Sequence, residues 1–498
     1  MGLVARQSFK AATVTYAGIL MGVINQIIIY PLTLSIEQYG ELQFVLQTSA
    51  FFTPFLLLGA TTVFTKYYPV YSDNERKKQN LYGLLFFVVT LNVILFLGLF
   101  LVFKEQVFEH YNDNSAVSKI AVIVLFGIGA IVPYIASART ISAVHGRISV
   151  PSLFAQLLKF VLPLLAIGYY SNLYAFDSLL VYLLIYYVLL GLSFVLYMLR
   201  HEKIRPKIAI TSFSKELDLK PMAVFAFFSV LTGIGGTLTN QIDVIMITSL
   251  KGTYQNGLYS WSLFIANAVA IPFSLIVAIS TPIVAKYWKD NDLDGIRSMY
   301  RRTSSSLLVF SLGAFLSFWL VVDDLFLLMP KGNEFMLAKS MVLMLCVAKI
   351  IDMASGINSQ ILSMSKDYKL LLWMLLLSAA VNVGLNFLLI PQYGIEGSGV
   401  ATIISIIVFN VAKFWFLKKK YNFNPFNKAT LQVLALSLLS YLVISILPRT
   451  SIPIINLFLF SGLFILTFGL AAYKLKLAPE INGFVNKQLK RINIKPFD

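Results

Sequence analysis

The chain has 498 residues, of which 58% are hydrophobic, 14% aromatic and only 13% charged, with a mean hydropathy of +0.78 and a formal net charge of +17. A soluble globule of this length needs far more polar surface, so that class is excluded. The apolar runs are continuous and about 20 residues long, which excludes a transmembrane barrel of alternating segments and leaves a helical membrane protein.

Fourteen such runs follow in chain order, at roughly 11–30, 42–64, 82–103, 119–138, 151–170, 178–199, 221–248, 258–282, 304–322, 338–358, 370–390, 397–417, 430–447 and 453–473. The first ends in IIIYP without a small-residue cleavage site, so it reads as a full span and not as a cleaved signal. It carries Asn25-Gln26-Ile27 behind GILMG (18–22), whose glycines suit close helix packing. The fifth span holds Lys159 near its middle, on a stripe with Ser152, Gln156 and Pro163. After the basic stretch 200–220, the seventh span repeats the tripeptide as Asn240-Gln241-Ile242, with Asp243 next. The tenth span carries Lys349 and, one turn on, Asp352; the eleventh sets Asn382 and Asn386 at i,i+4 on one face with Ser378. The single cysteine, Cys346, lies inside a span, so no disulfide framework or cysteine metal site is expected.

Charge tests this layout independently. With the N-terminus inside, the cytoplasmic segments carry 31 Lys/Arg and the opposite side six: Lys104, Lys119, Lys251, Lys331, Lys339 and Arg449. That asymmetry follows the positive-inside rule, and one missed or invented helix would scramble it downstream. Both termini are expected in the cytoplasm. Basic runs such as NERKKQ, FLKKKYN and KQLKRINIK then read as anchors at an anionic leaflet and not as nucleic-acid sites.

The two tripeptides lie six spans apart and point the same way across the membrane. Each is followed by an outer turn with Gln-x-Gly (EQYGELQ; TYQNGLYS), a proline-containing span and a basic inner loop (KYYPVYSDNERK; KYWKDNDLDGIR). This reads as a parallel repeat, with an N-lobe at 1–215, a C-lobe at 216–425, and two further helices plus a basic tail at 426–498. The expected fold is an all-α integral membrane protein of about fourteen helices, in two pseudo-symmetric six-helix lobes plus a trailing pair.

Residues 37–69 (EQYGELQ to KYYP), 255–288 (QNGLYSW to AKYW) and above all NFLLIPQYGIEGSGVATIIS resemble the polysaccharide-transporter (O-antigen flippase) family of the MATE-like MOP superfamily. The resemblance covers nearly the whole chain. It implies a flippase that moves an undecaprenyl-diphosphate-linked oligosaccharide, an O-antigen or other surface-polysaccharide repeat unit, between the leaflets of a bacterial inner membrane by alternating access. It also implies no bound cofactor, coupling to an H+ or Na+ gradient, and polymerase or assembly proteins as partners alongside membrane lipids. Relatives that flip the peptidoglycan precursor carry several arginines inside their first two helices. Here Arg6 precedes the first span and Lys66 closes the second, which argues against lipid II.

Mid-membrane charges cost about 2.5–3.5 kcal/mol each on insertion scales and so mark functional candidates. Lys159 with Gln156, and Lys349 with Asp352, suit a diphosphate held between lobes, with Asn382 and Asn386 lining the second. The alternative is that Lys349 and Asp352 neutralise each other at i,i+3 and that Lys159 snorkels. Asp243 suits ion coupling or a gate contact; Asn25 and Asn240 suit contacts near the outer gate. Arg139 and Lys413, near inner helix ends, read as snorkelling, and Asp323, Asp324, Glu105 and Glu109 as solvated loop charges. No Gly-x4-Gly-Lys-Ser/Thr occurs, the three histidines lack metal spacing and the outer loops are short, so an enzyme is not expected. The closer rival is a drug or cation antiporter of the same fold. Such a protein needs an acidic site in its first lobe, and the first six spans contain no mid-membrane carboxylate.

Overall fold

Among the described residues every regular element is a helix. Lipid offers backbone groups no partner, and a helix satisfies them within its own segment. The computed structural model describes residues 14, 17–147, 149–201, 216–480, 482–483 and 485–486. The head with Arg6, most of the basic 200–220 stretch and the KQLKRINIK tail lie outside the described residues.

The chain forms two compact units, residues 1–260 and 261–498. In the first, α1 (Ala17–Thr33) contains a π-turn at Asn25–Ile29. Helices α2 (Ile36–Phe51), α3 (Thr53–Leu57) and α4 (Ala60–Tyr71) form one span bent by 48°. Ser35 starts it with a reciprocal capping box to Gln38. Then come α5 (Glu75–Ser115), α6 (Lys119–Val144), α7 (Ser149–Tyr170) and α8 (Phe176–His201). Helix α9 (Leu219–Val269) is interrupted at Gly252, whose φ of 84° and ψ of 178° favour glycine.

Past that break, the two Gln-x-Gly turns touch backbone to backbone. A Cβ on Gly40 would sit 1.9 Å from the Thr253 carbonyl oxygen, and one on Gly257 would sit 2.3 Å from that of Ile36. Asn256 Nδ2 donates to the Gly40 carbonyl at 2.7 Å beside this crossing. The repeated Gln-x-Gly is thus a steric requirement, because a side chain at either glycine would separate the two segments.

The second unit contains α10 (Ile271–Lys289) and the bent pair α11 (Leu293–Trp319) and α12 (Val322–Leu328). The pair α13 (Lys339–Ala354) and α14 (Asn358–Met364) is also broken. The remaining helices are α15 (Tyr368–Tyr393), α16 (Ile395–Tyr421), α17 (Lys428–Ser445) and α18 (Pro453–Lys474). By length and composition nine described helices can cross a membrane, or twelve with each bent pair as one span. Adding α1, and dividing α9 at Gly252, makes the arrangement compatible with the expected fourteen. Apolar side chains such as Leu99, Leu164, Leu438 and Leu466 stand exposed along these helices, as a lipid-facing surface requires.

The trailing pair packs onto α11 through Leu308, Leu312, Val433, Phe460, Phe464 and Phe468. Its hairpin is pinned by an ionic knot that the sequence disguises. Asp324, expected as a solvated loop charge, is 5% exposed. Its carboxylate accepts from Arg449 Nη1 at 2.7 Å and from Asn456 Nδ2 at 2.9 Å. Arg449 Nη2 donates to the Leu320 carbonyl at 2.6 Å. A carboxylate beside the α11–α12 break becomes interior once α18 covers it.

Between α14 and α15, both carboxylate oxygens of Asp367 accept from Lys420 Nζ at 2.7 Å, and Oδ2 accepts from Tyr421 Oη at 2.6 Å. Burial alone would raise this carboxyl, but the bonds from Lys420 and Tyr421 outweigh it and hold Asp367 below its ordinary value. Its contribution to stability is therefore complete above the unfolded value of about 3.9 and is lost as pH falls through the lower folded value. The melting temperature of Asp367→Asn should lie below wild type by a constant gap near neutral pH. That gap should close in acid below about pH 4. A gap unchanged by acid would remove Asp367 as its cause.

Candidate functional site

In the first unit the polar residues of α1 and α7 meet along the glycine stripe. Asn25, 2% exposed in the π-turn, donates from Nδ2 to the Lys159 carbonyl at 2.7 Å. A Cβ on Gly18 would lie 2.2 Å from Gln156 Oε1, whereas one on Gly22 would lie 3.9 Å from Lys159 Cδ. GILMG therefore does more than pack helix on helix: its bare backbone leaves room for the Gln156 amide. Gln156 Oε1 and Asn25 Oδ1 are buried and accept no hydrogen bond. Lys159 is half-buried, and among the described residues its ammonium forms no ion pair or hydrogen bond.

A half-buried cation within an apolar helix, bonded to no anion among the described residues, is an incomplete polar site. It can hold an anionic group on the ammonium. Gly18→Ala should displace Gln156 and lower transport several-fold. Its melting temperature should be unchanged or raised, because alanine favours helix over glycine by about 0.5–1 kcal/mol. Gly22→Ala, which meets ordinary contact distances, should leave transport near wild type. Equal effects of the two substitutions would reject Gln156 positioning.

Asp243 is 3% exposed and accepts from Tyr259 Oη at 2.8 Å, a bond that closes over the Gly252 break. Asn240 does not share the environment of Asn25. It is exposed, and its Nδ2 donates to the Gly236 carbonyl of its own helix at 2.7 Å. The two copies of the tripeptide thus have different partners.

In the second unit Lys349 is half-buried on α13 and Asp352 lies one turn on. Asp352 Oδ1 accepts from Asn410 Nδ2 of α16 at 3.0 Å, and Asn410 Oδ1 accepts from Asn358 Nδ2 at 3.0 Å. Asn410 and Asn358 were not singled out by their spacing, because 52 residues separate them. Lys413 corrects an expectation: it does not snorkel but is 1% exposed, donating to Ser359 Oγ at 2.9 Å. Helices α13, α14 and α15 pack on its helix, α16, and its terminal nitrogen lies 3.6 Å from the centre of the Phe409 ring. Asn382 and Asn386 are buried on α15 and bonded to each other at 3.1 Å, while Ser378 donates to the Ser405 carbonyl of α16.

The chain is 27% identical over 187 residues to a probable low-salt glycan biosynthesis flippase, Agl15, of Haloferax volcanii, covering 37% of this chain and 39% of that protein. The curated relatives it matches are spanned over less than half of their length. Its fold is similar to that of a lipid II flippase, MurJ, in an inward closed conformation (TM-score 0.74, 15% identity, 93% of this chain and 98% of that one). It is also similar to a multidrug resistance MATE family transporter of the MOP superfamily in an inward-facing conformation (TM-score 0.65, 14% identity, 81% and 94%). The fold is therefore that of the MOP superfamily, as the sequence led one to expect. The family described as polysaccharide biosynthesis protein matches residues 4–288, more than half of the chain, and the chain belongs to this family.

Proposed function

We propose that this protein is a flippase that carries a lipid-linked oligosaccharide across the membrane by alternating access. The carrier is undecaprenyl diphosphate, and the cargo an O-antigen or other surface-polysaccharide unit. The observation that carries the reading is Lys159: a half-buried cation inside an apolar helix that is bonded to no anion among the described residues, on the helix that also carries Gln156. A diphosphate supplies the missing charge. The proposed setting is a bacterial inner membrane with both termini cytoplasmic, and a gradient of H+ or Na+ drives the cycle. The Asp243–Tyr259 bond across the Gly252 break is where such coupling would change a helix bend.

Cells lacking the protein should make the lipid-linked intermediate at a normal rate and accumulate it on the cytoplasmic leaflet, as read by leaflet-selective glycan labelling. Normal appearance of the intermediate outside, in a strain without a redundant transporter, would reject the flippase. Drug sensitivity gained on deletion, with unchanged glycan, would favour the antiporter of the same fold.

A further inference from the structure

A polar relay in the second unit joins a buried lysine to a partly exposed carboxylate without an ion pair. It runs from Lys413 Nζ to Ser359 Oγ (2.9 Å), from Ser359 to Asn358 Oδ1 (3.4 Å), from Asn358 to Asn410 (3.0 Å) and from Asn410 to Asp352 Oδ1 (3.0 Å). An ammonium has three protons to place, and here one hydroxyl and an aromatic face receive it. Among the described residues Lys413 makes no ion pair. A fully buried charge so sparsely compensated is costly to keep fixed.

The surroundings restrict what can answer that charge. Of the helices packed on α16, α13 brings Lys339, Cys346, Lys349 and Asp352, α15 brings Tyr368, Lys369 and Tyr393, and α14 brings none; Tyr300 of α11 lies in the same buried cluster as Ile357 and Leu417. Helix α16 itself adds Glu396 at its outer end and Lys418, Lys419, Lys420 and Tyr421 at its inner end. Asp352 is the one carboxylate that α13, α14 and α15 contribute. It and Ser359 are partly exposed, whereas Lys413 is not, so access runs from their side. The relay also straddles the α13–α14 break, and broken spans are where transporters place coupling-ion sites.

We propose that Lys413 and Asp352 form a proton-exchange site. Lys413 passes a proton to water at the Asp352–Ser359 face and regains one from it, with only N–H and O–H bonds broken and formed. This deepens the transport reading, from which it takes its purpose, by naming H+ as the coupling ion and by using residues other than Lys159 and Asp243.

The test freezes each protonation state. Lys413→Arg keeps a permanent charge, since a guanidinium does not deprotonate in proteins, and Lys413→Met keeps none. In a host that depends on this protein for surface glycan, both should lose export although each purifies as a monodisperse membrane protein. Export retained by the arginine variant would show that a fixed charge suffices, and export retained by the methionine variant that the site is filler. Either result overturns the proposal.

A second arm needs no glycan and serves also if the arginine does not fit. Thermal unfolding of the purified full chain is followed across a pH series for wild type and for Lys413→Met/Asp352→Asn. The difference in melting temperature should change with pH. A constant difference overturns the proton site even if the protein exports glycan. A changing difference supports the site, and if deletion of the protein leaves glycan export normal, it is the flippase reading alone that fails.

Discussion

Lys159→Ala is expected to lower glycan export by about tenfold to 150-fold while the protein stays inserted and folded. The range follows from a charge-assisted hydrogen bond of about 1.5–3 kcal/mol, with each 1.36 kcal/mol counting tenfold in rate. Two unit charges 4 Å apart attract by about 1 kcal/mol in bulk water and about 4 at an effective dielectric of 20, so a diphosphate leaving water gains most from a partly buried ammonium. Stability should not fall with it. Among the described residues Lys159 is bonded to no carboxylate, so alanine orphans no buried anion, and its carbonyl still accepts from Asn25. Lys159→Arg should keep part of the activity, because a moving headgroup needs charge more than one fixed geometry. Lys349→Ala provides the companion measurement. Asp352 keeps its bond to Asn410 in that variant, so lost export points to substrate contact. Recovery of export in Lys349→Ala/Asp352→Ala would instead mean that Lys349 serves to balance Asp352, and it would also overturn the proton-exchange site that includes Asp352. Full export by both single variants would take the two lysines out of the pathway.

Arg449→Ala should destabilise the second unit by about 3 kcal/mol, the lower end of what breaking a buried pair costs, since Arg449 is 42% exposed. It leaves the 7%-exposed Asp324 side chain without its cation and the Leu320 carbonyl without its donor. Asn456 remains bonded to Asp324 and limits the loss. The measurement is thermal unfolding, with proteolysis at the hairpin around 446–452 as a local readout. Lys in place of Arg449 should fall between the two, because one ammonium does not reproduce the fork to both Asp324 and Leu320. Replacing both charges, Arg449→Met with Asp324→Asn, should recover most of the loss. An unchanged melting temperature in Arg449→Ala would show the knot to be energetically idle.

Membrane class and the helical spans were legible in the sequence, for a reason that needs no neighbour. Lipid requires about 20 apolar residues per pass, whatever else touches the helix. The Gln-x-Gly turns recur because Gly40 and Gly257 both serve one crossing. Lys159 and Gln156 could be placed on one stripe, since residues three apart share a helix face. What faces that stripe was not legible: Gly18 beside Gln156 depends on how α1 lies on α7. The same limit separated the equivalent asparagines, Asn25 bonded across helices and Asn240 to its own. It also misplaced the charges at helix ends. Lys413 stands four residues from the end of its predicted span, where a lysine in a lone helix would reach water, and Asp324 stands in a segment that reads as a loop. Tertiary packing decided both, by setting Ser359 of α14 against the lysine and Asn456 of α18 against the aspartate. Helical periodicity determines which face a side chain shares; whether a charge there meets water, lipid or an amide is set by helices distant in the chain.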